Sequence, residues 1–334
     1  MKHSPMRRRA CLAGASLLAS PLALHALVRP VLANSAWPNR PIRLVVPGPA
    51  GAGMDIFARL IAADLNTALR QPVVVDNRPG ANSMIGTDIV AKSSPDGYTL
   101  LLTPSSAVAI NPVIQPRMPY DVLRDLTPVA QVGAAGILLV ANPSTGFKSL
   151  ADLVRYAREN PDKLVYGSWG NGSTGHLVME AIKAHYGLKM QHIPYKGSAQ
   201  LVTDLLANNI RVGFTDIASP VPHIRAGKLA ALGCTGSARG PALPDVPTLS
   251  EQGFRFDRDG WYGVFAPKGT PQDVVQRLNT EINRILATNE VVKKFADQNM
   301  PRPNRPTVDQ FSATVREDVN AWQGIAKVAK LTID

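Results

Sequence analysis

The chain has 334 residues, of which 45% are apolar, 6% aromatic and 18% charged, and it contains only two cysteines. This length exceeds what one compact core usually holds, so we expect two domains, and the ordinary apolar fraction excludes a disordered or coiled-coil chain. Two cysteines exclude a disulfide scaffold, whereas the net charge of +11 raises the question of a nucleic-acid partner.

Residues 1–33 have the pattern of an export signal. Four of the first nine residues are basic, an apolar run follows, and Val31-Leu32-Ala33 has the small residues of a cleavage site. The pair Arg8-Arg9 resembles a twin-arginine signal, so the general and the twin-arginine export routes both stay open. We therefore expect a cleaved signal and an exported protein.

Removal of this signal changes the charge of the chain. The signal holds five basic residues and no acidic one, so the net charge falls from +11 to +6. No basic run with interleaved aromatic residues remains, which disfavours nucleic acid as a partner. The mild positive charge suits a small anionic ligand. Cys234 is then the only cysteine, so no intramolecular disulfide is expected.

Short β-branched runs alternate with stretches of helical period after Pro41. This alternation predicts an α/β fold with parallel sheets. The predicted strands are Ile42–Val46, Val73–Val75, Thr99–Leu102, Val129–Val132, Ile137–Ala141, Val165–Gly167, Gln191–Ile193, Arg211–Phe214 and Ala230–Cys234.

Three stretches illustrate the predicted helices. The spacing of Phe57, Ile61, Leu65 and Ala68 predicts an amphipathic helix after the first strand. Near the C-terminus, Thr270-Pro271 predicts a helix with threonine as its N-cap. Further on, the segment from Thr307 to Gln310 predicts a capping box that opens a helix through Phe311, Val315, Val319 and Trp322.

The first strand ends in a loop of small residues that leads into a helix. Such a loop offers unpaired backbone N–H groups to an anion, and glycine permits close approach of a ligand. One alternative is a dinucleotide fold with Asp76 as the ribose-binding acid, although the third glycine of that motif is missing; another is an ordinary connecting loop. The candidate binding residues here are Pro49, Ala50, Gly51, Ala52 and Asp55.

Four further strand ends carry polar residues. Ligands of open α/β sheets bind at the carboxyl ends of strands, so five such loops indicate a cleft. Neither Ser168 nor Ser173 lies in a Gly-x-Ser-x-Gly motif, and no histidine pair has metal spacing, so we expect no catalytic residue and no metal. The candidates are Thr103 and Ser105, then Asn171, Gly172, Ser173 and His176, then Tyr195, Lys196 and Gly197, and finally Asp216.

Eight segments of the chain resemble, in the same order, those of the Bug-type periplasmic solute receptors of the tripartite tricarboxylate transporter group. Together they span nearly all of the chain after the signal. They are residues 41–47, 73–81, 95–101, 119–121, 192–197, 223–229, 243–248 and 266–271.

This resemblance implies a type II periplasmic-binding-protein fold, in which two α/β lobes are joined by two crossing strands and hold a ligand in the cleft between them. It implies lobe 1 over residues 34–130 and 260–334, lobe 2 over 131–259, and crossings near Thr127–Gly133 and Gly260–Pro267.

The resemblance also implies a function. The expected protein is a monomeric, non-enzymatic receptor without a cofactor, which captures a small carboxylate (an amino acid, a di- or tricarboxylate or an aromatic acid) for the membrane permease subunits of a tripartite transporter. A ligand-sensing subunit for a signalling partner and an exported nucleotide-dependent oxidoreductase remain the alternatives.

The chain departs from the family pattern in two loops. Gly48, Ala50 and Ala52 replace an aromatic residue, a proline and a glycine, and Asn82-Ser83 replaces a pair of glycines. These changes leave the ligand open. The place of Asp216 is consistent either with an amino group on the ligand or with ordering of its own loop.

Overall fold

The computed structural model describes residues 37–115, 117–256 and 259–329. The export signal expected over residues 1–33 lies outside the described residues. None of the helices in the described ranges has the length and apolar character that crossing a bilayer requires.

Ten strands and eleven α-helices form the described fold, together with a π-helical turn at Ser106–Ile110 and a 3-10 turn at Pro143–Thr145. The strands are β1 Ile42–Val46, β2 Val73–Asn77, β3 Thr99–Pro104, β4 Leu126–Ala135, β5 Leu138–Ala141, β6 Val165–Ser168, β7 Gln191–Pro194, β8 Val212–Thr215, β9 Ala230–Cys234 and β10 Gly260–Pro267. The helices are α1 Gly53–Leu69, α2 Met84–Ala91, α3 Asn111–Ile114, α4 Val122–Asp125, α5 Leu150–Glu159, α6 Thr174–Tyr186, α7 Ser198–Leu206, α8 Val221–Arg225, α9 Gln272–Ala287, α10 Asn289–Asp297 and α11 Val308–Ala329.

The strands form two five-stranded sheets, one in each lobe. The first sheet has the order β2-β1-β3-β10-β4 and the second the order β7-β6-β8-β5-β9. In the first sheet the chain passes from β1 to β2 on one side and then to β3 on the other side of β1. In the second sheet it passes from β6 to β7 and then to β8 on the other side of β6. The gap between β1 and β3, and that between β6 and β8, are the reversal points of the two sheets. In open α/β sheets a ligand crevice forms at this kind of position.

Both sheets are mixed, which corrects the expectation of parallel sheets. The strands joined by helical crossovers, β1 to β3 and β6 to β8, do pair in parallel. However, β10 is antiparallel to β3 and β4, and β5 is antiparallel to β8 and β9. The physical reason is the crossing between lobes: β4 and β10 are antiparallel neighbours because one leads out of the first sheet and the other leads back.

The passage between the sheets, which consists of residues 136–137 between β4 and β5, is short and tightly packed. Strand β4 ends opposite the start of β10, at the pair Ala135 and Gly260, and β5 begins three residues later in the second sheet. Ile137 and Thr235 exchange two hydrogen bonds here, Ile137 N to Thr235 Oγ1 at 2.9 Å and Thr235 N to Ile137 O at 3.0 Å. These bonds hold the outgoing chain against the end of β9.

Each lobe has its own apolar core. In the first lobe, helix α1 buries the predicted face, with Phe57 and Ile61 fully buried and the Phe57 ring 4.8 Å from that of Phe295 on α10. In the second lobe, Tyr166 and Phe214 are fully buried between the sheet and its helices. Each such side chain stabilises the folded state by about 1.5–3 kcal/mol.

The two predicted helix caps have different outcomes. The capping box is confirmed, because Gln310 N donates to Thr307 Oγ1 at 3.2 Å and Thr307 N donates to Gln310 Oε1 at 2.9 Å. The threonine cap is wrong: Pro271 occupies the N-cap position of α9, and the Thr270 hydroxyl donates to Pro267 O instead. This hydroxyl is bonded within the turn that follows β10, so it does not cap the helix.

We predict that Gly136→Ala destabilises the protein strongly. A Cβ at this position would lie 1.7 Å from Thr235 O, so the backbone at the passage must shift. Overpacking of this kind costs about 1–3 kcal/mol of unfolding free energy. Gly260→Ala on β10 is the matched control, since its Cβ would make only ordinary contacts at 3.6 Å. Urea unfolding measures both, and equal midpoints would contradict the prediction.

Candidate ligand-binding cleft

Loops from both sheets surround a cavity of about 870 Å³. The loops that follow β1, β3, β6, β7 and β8 all contribute to its wall, as the sequence analysis expected from their polar residues. The loop after β2 and the adjoining ends of β4 and β10 complete the wall. The cavity therefore lies at the reversal points of the two sheets, where α/β proteins bind ligands.

Eight of the fifteen candidate binding residues line this cavity, and seven do not. The lining residues come from all five predicted loops: Pro49, Ala52, Ser105, Asn171, Tyr195, Lys196, Gly197 and Asp216. The others lie in the same loops or in the adjoining strand and helix ends, but not in the cavity wall: Ala50, Gly51, Asp55, Thr103, Gly172, Ser173 and His176.

Asp55 shapes the first loop from within the protein. Its carboxylate is 3% exposed and accepts from Gly51 N and Arg59 Nε, both at 2.9 Å, and from Asn77 Nδ2 at 3.0 Å. Burial disfavours its ionised form, but the hydrogen bonds from Arg59, Gly51 and Asn77 outweigh burial and lower the pKa of Asp55. Both oxygens are occupied, so Asp55 positions the loop that begins α1.

The second-lobe loop is held by a buried hydroxyl pair. Ser173 caps α6 by accepting from His176 N at 3.2 Å, and its hydroxyl lies 3.0 Å from Ser168 Oγ. Ser168 in turn lies 2.8 Å from His192 Nε2. Both serines are fully buried and neither lines the cavity, so this serine–histidine contact does not face a bound molecule.

Two stacked imidazoles support the same loop. The rings of His176 and His192 lie 4.0 Å apart, and His176 Nδ1 accepts from Gly172 N at 3.1 Å. Burial, together with repulsion from Lys183 and from His176 once that ring is protonated at low pH, lowers the pKa of His192 to about 3. Burial also lowers the pKa of His176, although Glu180 opposes this. Both rings are therefore neutral at pH 7.

Asp216 connects the two lobes. Its carboxylate accepts from Ala218 N at 2.9 Å, Ser219 N at 2.7 Å and Ser219 Oγ at 2.7 Å, which orders its own turn. Across the cleft it lies 3.4 Å from Gly53 N, at the first position of α1. Of the two roles left open by the sequence, these contacts favour the ordering of the loop.

The loop after β2 lines the cavity but was not among the predicted site residues. Ala81, Asn82 and Ser83 all have positive φ, of 47°, 47° and 71°, a conformation that costs about 1–2 kcal/mol for each residue with a side chain. Asn82 and Asn111 hold this turn through two mutual hydrogen bonds of 2.7 and 2.9 Å. Two features of the sequence could have indicated this loop. It follows a predicted strand, and Asn82-Ser83 replaces a pair of glycines in the family pattern.

Lys196 supplies the positive charge of the cavity. Among the described lining residues, only Lys196 and Asp216 carry a charge, and no described acidic side chain lies within ion-pair distance of the Lys196 ammonium. Lys196 immediately precedes α7, whose N-terminus has no side-chain cap. The first N–H groups of a helix have no partner within the helix and attract anions.

Gly197 lets the two lobes meet beside this lysine. An added Cβ at Gly197 would lie 2.8 Å from Pro49 Cγ, which belongs to the first loop of the other lobe. Only glycine therefore allows this approach without a shift. The contact closes one side of the cavity and brings the α1 and α7 loops together.

The dinucleotide alternative receives no support from the geometry. The proposed ribose-binding acid, Asp76, is paired with Arg43 and Arg78, at 2.5 and 3.0 Å. It does not line the cavity. The carboxylate is thus used within the first lobe and does not face a nucleotide.

Comparisons with known proteins agree on one family. The profile described as "Tripartite tricarboxylate transporter family receptor" matches residues 57–331. The chain belongs to this family. The receptor is 39% identical to protein BugT of Bordetella pertussis, over 92% of this chain and 94% of that protein.

Solved structures support the same assignment. The R. palustris protein Rpa4515, solved with adipate, superposes on this receptor with a TM-score of 0.85 at 34% identity, covering 89% of this chain and 99% of that one. The periplasmic binding protein BugD superposes with a TM-score of 0.84 at 30% identity, covering 89% and 99%. The predicted Bug-type family and two-lobe fold are confirmed.

We predict that the stability of this receptor falls as the pH decreases below 6.5. Because folding lowers the pKa of His176 and lowers that of His192 to about 3, the unfolded chain binds more protons than the folded one as the pH falls below the ordinary value of 6.5. Each histidine that titrates in this way removes up to about 1.4 kcal/mol of unfolding free energy per pH unit.

Chemical unfolding between pH 7.5 and 4.5 measures this slope. His192→Gln is expected to flatten it, whereas His223→Gln, on α8 and outside the stacked pair, should retain the wild-type slope. Identical slopes in all three proteins would contradict the assignment.

Proposed function

We propose that this protein is an exported receptor that captures a carboxylate-bearing solute in the cavity between its lobes. The observation that carries the proposal is the unpaired Lys196 beside the uncapped start of α7, on the wall of an 870 Å³ cavity. A cation and a set of free backbone donors together are complementary to a carboxylate.

Neutral polar groups on the same wall support this binding mode. Asn171, in the loop before α6, and Thr174, the first residue of α6, line the cavity from the second lobe. Ser105 lines it from the first lobe. Amide and hydroxyl donors orient a carboxylate without adding charge. Capture of this kind breaks no covalent bond in the solute.

Closure of the lobes completes the proposed mechanism. Within the described residues the chain leaves the first sheet at Gly136 and returns to it at β10, and rotation about these links would open or close the cleft. A solute that contacts both lobes favours the closed form by its differential affinity. The closed receptor then offers a surface that the empty, open form lacks.

The family assignment supports the partner. Receptors of this family are described by their role in a tripartite transporter, and the similar R. palustris protein was solved with adipate, a carboxylate. We propose that the protein acts in the periplasm as a monomer and delivers its solute to the membrane subunits of such a transporter.

We predict that a panel of carboxylates contains compounds that raise the melting temperature of the purified protein. A solute bound only by the folded form stabilises it by about 2.7 kcal/mol at one hundred times its Kd. Lys196→Gln should weaken binding about ten-fold or more, because it removes the cation from the anion site. Lys148→Gln, an exposed lysine outside the cavity, is the control.

Thermal shift identifies the binding compounds, and calorimetry gives the Kd for each variant. Folded protein that responds to no carboxylate in the panel would refute the proposal. Loss of uptake of the same solute after deletion of either the receptor or a membrane permease gene tests the partner. Uptake that survives deletion of the receptor would favour the sensory alternative.

A further inference from the structure

We propose that the ligand of this receptor is a monocarboxylate with an apolar, ring-sized body, and that dicarboxylates are disfavoured. The inference rests on the proposed function and narrows its substrate class. It follows from the distribution of polar and apolar groups around the cavity, from the charges of the wall and from the space enclosed.

One part of the first-lobe wall of the cavity is apolar. Pro47, Ala52, Met54, Pro79 and Met84 line it without offering a side-chain donor. Burial of apolar ligand surface against such a wall contributes about 25 cal/mol for each Å² removed from water. A ligand that presents carboxylate oxygens to this wall would instead lose their hydration without replacement.

Of the described polar side chains on the first-lobe wall, Asn82 and Ser83 donate within the protein, and none carries a positive charge. Asn82 is paired with Asn111, the Ser83 hydroxyl donates to Pro47 O at 3.2 Å, and Ser105 Oγ lies 3.4 Å from Trp261 N. By contrast, Lys196 and the uncapped start of α7 lie on the second-lobe wall. The carboxylate is therefore assigned to the second lobe and the apolar body to the first.

The charges of the wall match one negative charge on the ligand. Lys196 is the only cation among the described lining residues. Asp216 accepts three hydrogen bonds of 2.7 to 2.9 Å from its own turn and is not neutralised by Lys196. A second ligand carboxylate would find no second cation among the described lining residues, and an unpaired buried charge is costly.

Met54 covers Gly48 and offers an apolar surface to the ligand body. An added Cβ at Gly48 would lie 2.6 Å from Met54 Cε, so the methionine side chain lies over the glycine where a larger residue would stand. Both residues line the cavity. A thioether is flexible and packs favourably against aromatic rings, so this pair forms an adaptable surface for a ring.

The enclosed space also favours a body larger than a short acid. A volume of about 870 Å³ lies in the upper part of the range of small-molecule sites, roughly 300–1,000 Å³. A short compact diacid would leave much of this apolar wall in contact with water.

Three probes of matched chemistry test the proposal by calorimetry on the purified protein. Hexanoate and adipate share a six-carbon chain and differ in the second carboxylate, and 3-phenylpropionate adds a ring to a single carboxylate. We expect hexanoate to bind at least ten-fold more tightly than adipate, and 3-phenylpropionate more tightly than hexanoate.

Two cavity variants locate the apolar body. Gly48→Phe should weaken 3-phenylpropionate at least ten-fold by occupying its space, with Leu123→Phe, which adds a phenyl group on the exposed surface, as the control. Met54→Ala should weaken it about three-fold or more, compared with Met118→Ala outside the cavity. If Gly48→Phe fails to fold, the comparison of Met54→Ala with Met118→Ala still tests the proposal.

The outcomes separate the two proposals. Adipate binding as tightly as hexanoate, or cavity variants that bind 3-phenylpropionate like their controls, would overturn the ligand class and leave the receptor function intact. Binding of other carboxylates but of none of these probes would also overturn it. Failure of every carboxylate to bind would refute the proposed function itself.

Discussion

The cleft depends on the passage where the chain crosses between the sheets. Ile137 and Thr235 exchange two hydrogen bonds there, and Gly136 passes Thr235 so closely that a side chain has no room. Because β4 and β10 are antiparallel neighbours, the outgoing and returning chains lie side by side, and the reversal points of both sheets face one cavity. The position of the candidate cleft is a consequence of this junction.

Several polar side chains near the cavity form hydrogen bonds that hold the conformation of its loops. Asp55 binds Gly51 and Arg59, Ser173 caps α6, and the strained turn at Asn82 is held by Asn111. These bonds satisfy buried polar atoms that would otherwise destabilise the folded state by about 1–3 kcal/mol each. The groups that remain for a solute include the unpaired ammonium of Lys196, the start of α7 and the side chains of Asn171 and Thr174.

The local sequence pattern predicts the strands well, and it predicts the site in part. The nine predicted strands all appear, most with ends shifted by one to three residues, because runs of β-branched residues are a local property. The loops of the site were also predicted. The role of each side chain was not, since Asp55 and Lys196 are both charged residues near strand ends. Only their packing shows that hydrogen-bond donors surround Asp55, whereas no described acidic side chain pairs with Lys196.

The sequence by itself determined the family, the α/β class, the loops of the cleft and one helix cap at Thr307. These features depend on residue type and on spacing along the chain. Tertiary structure alone decided the mixed sheets, the inward role of Ser173, and the place of Asn82 in the cavity wall. Each of these features depends on contacts between residues that are distant in sequence. The nearest hydrogen-bond partner determines whether a polar side chain is used within the protein or faces the cavity.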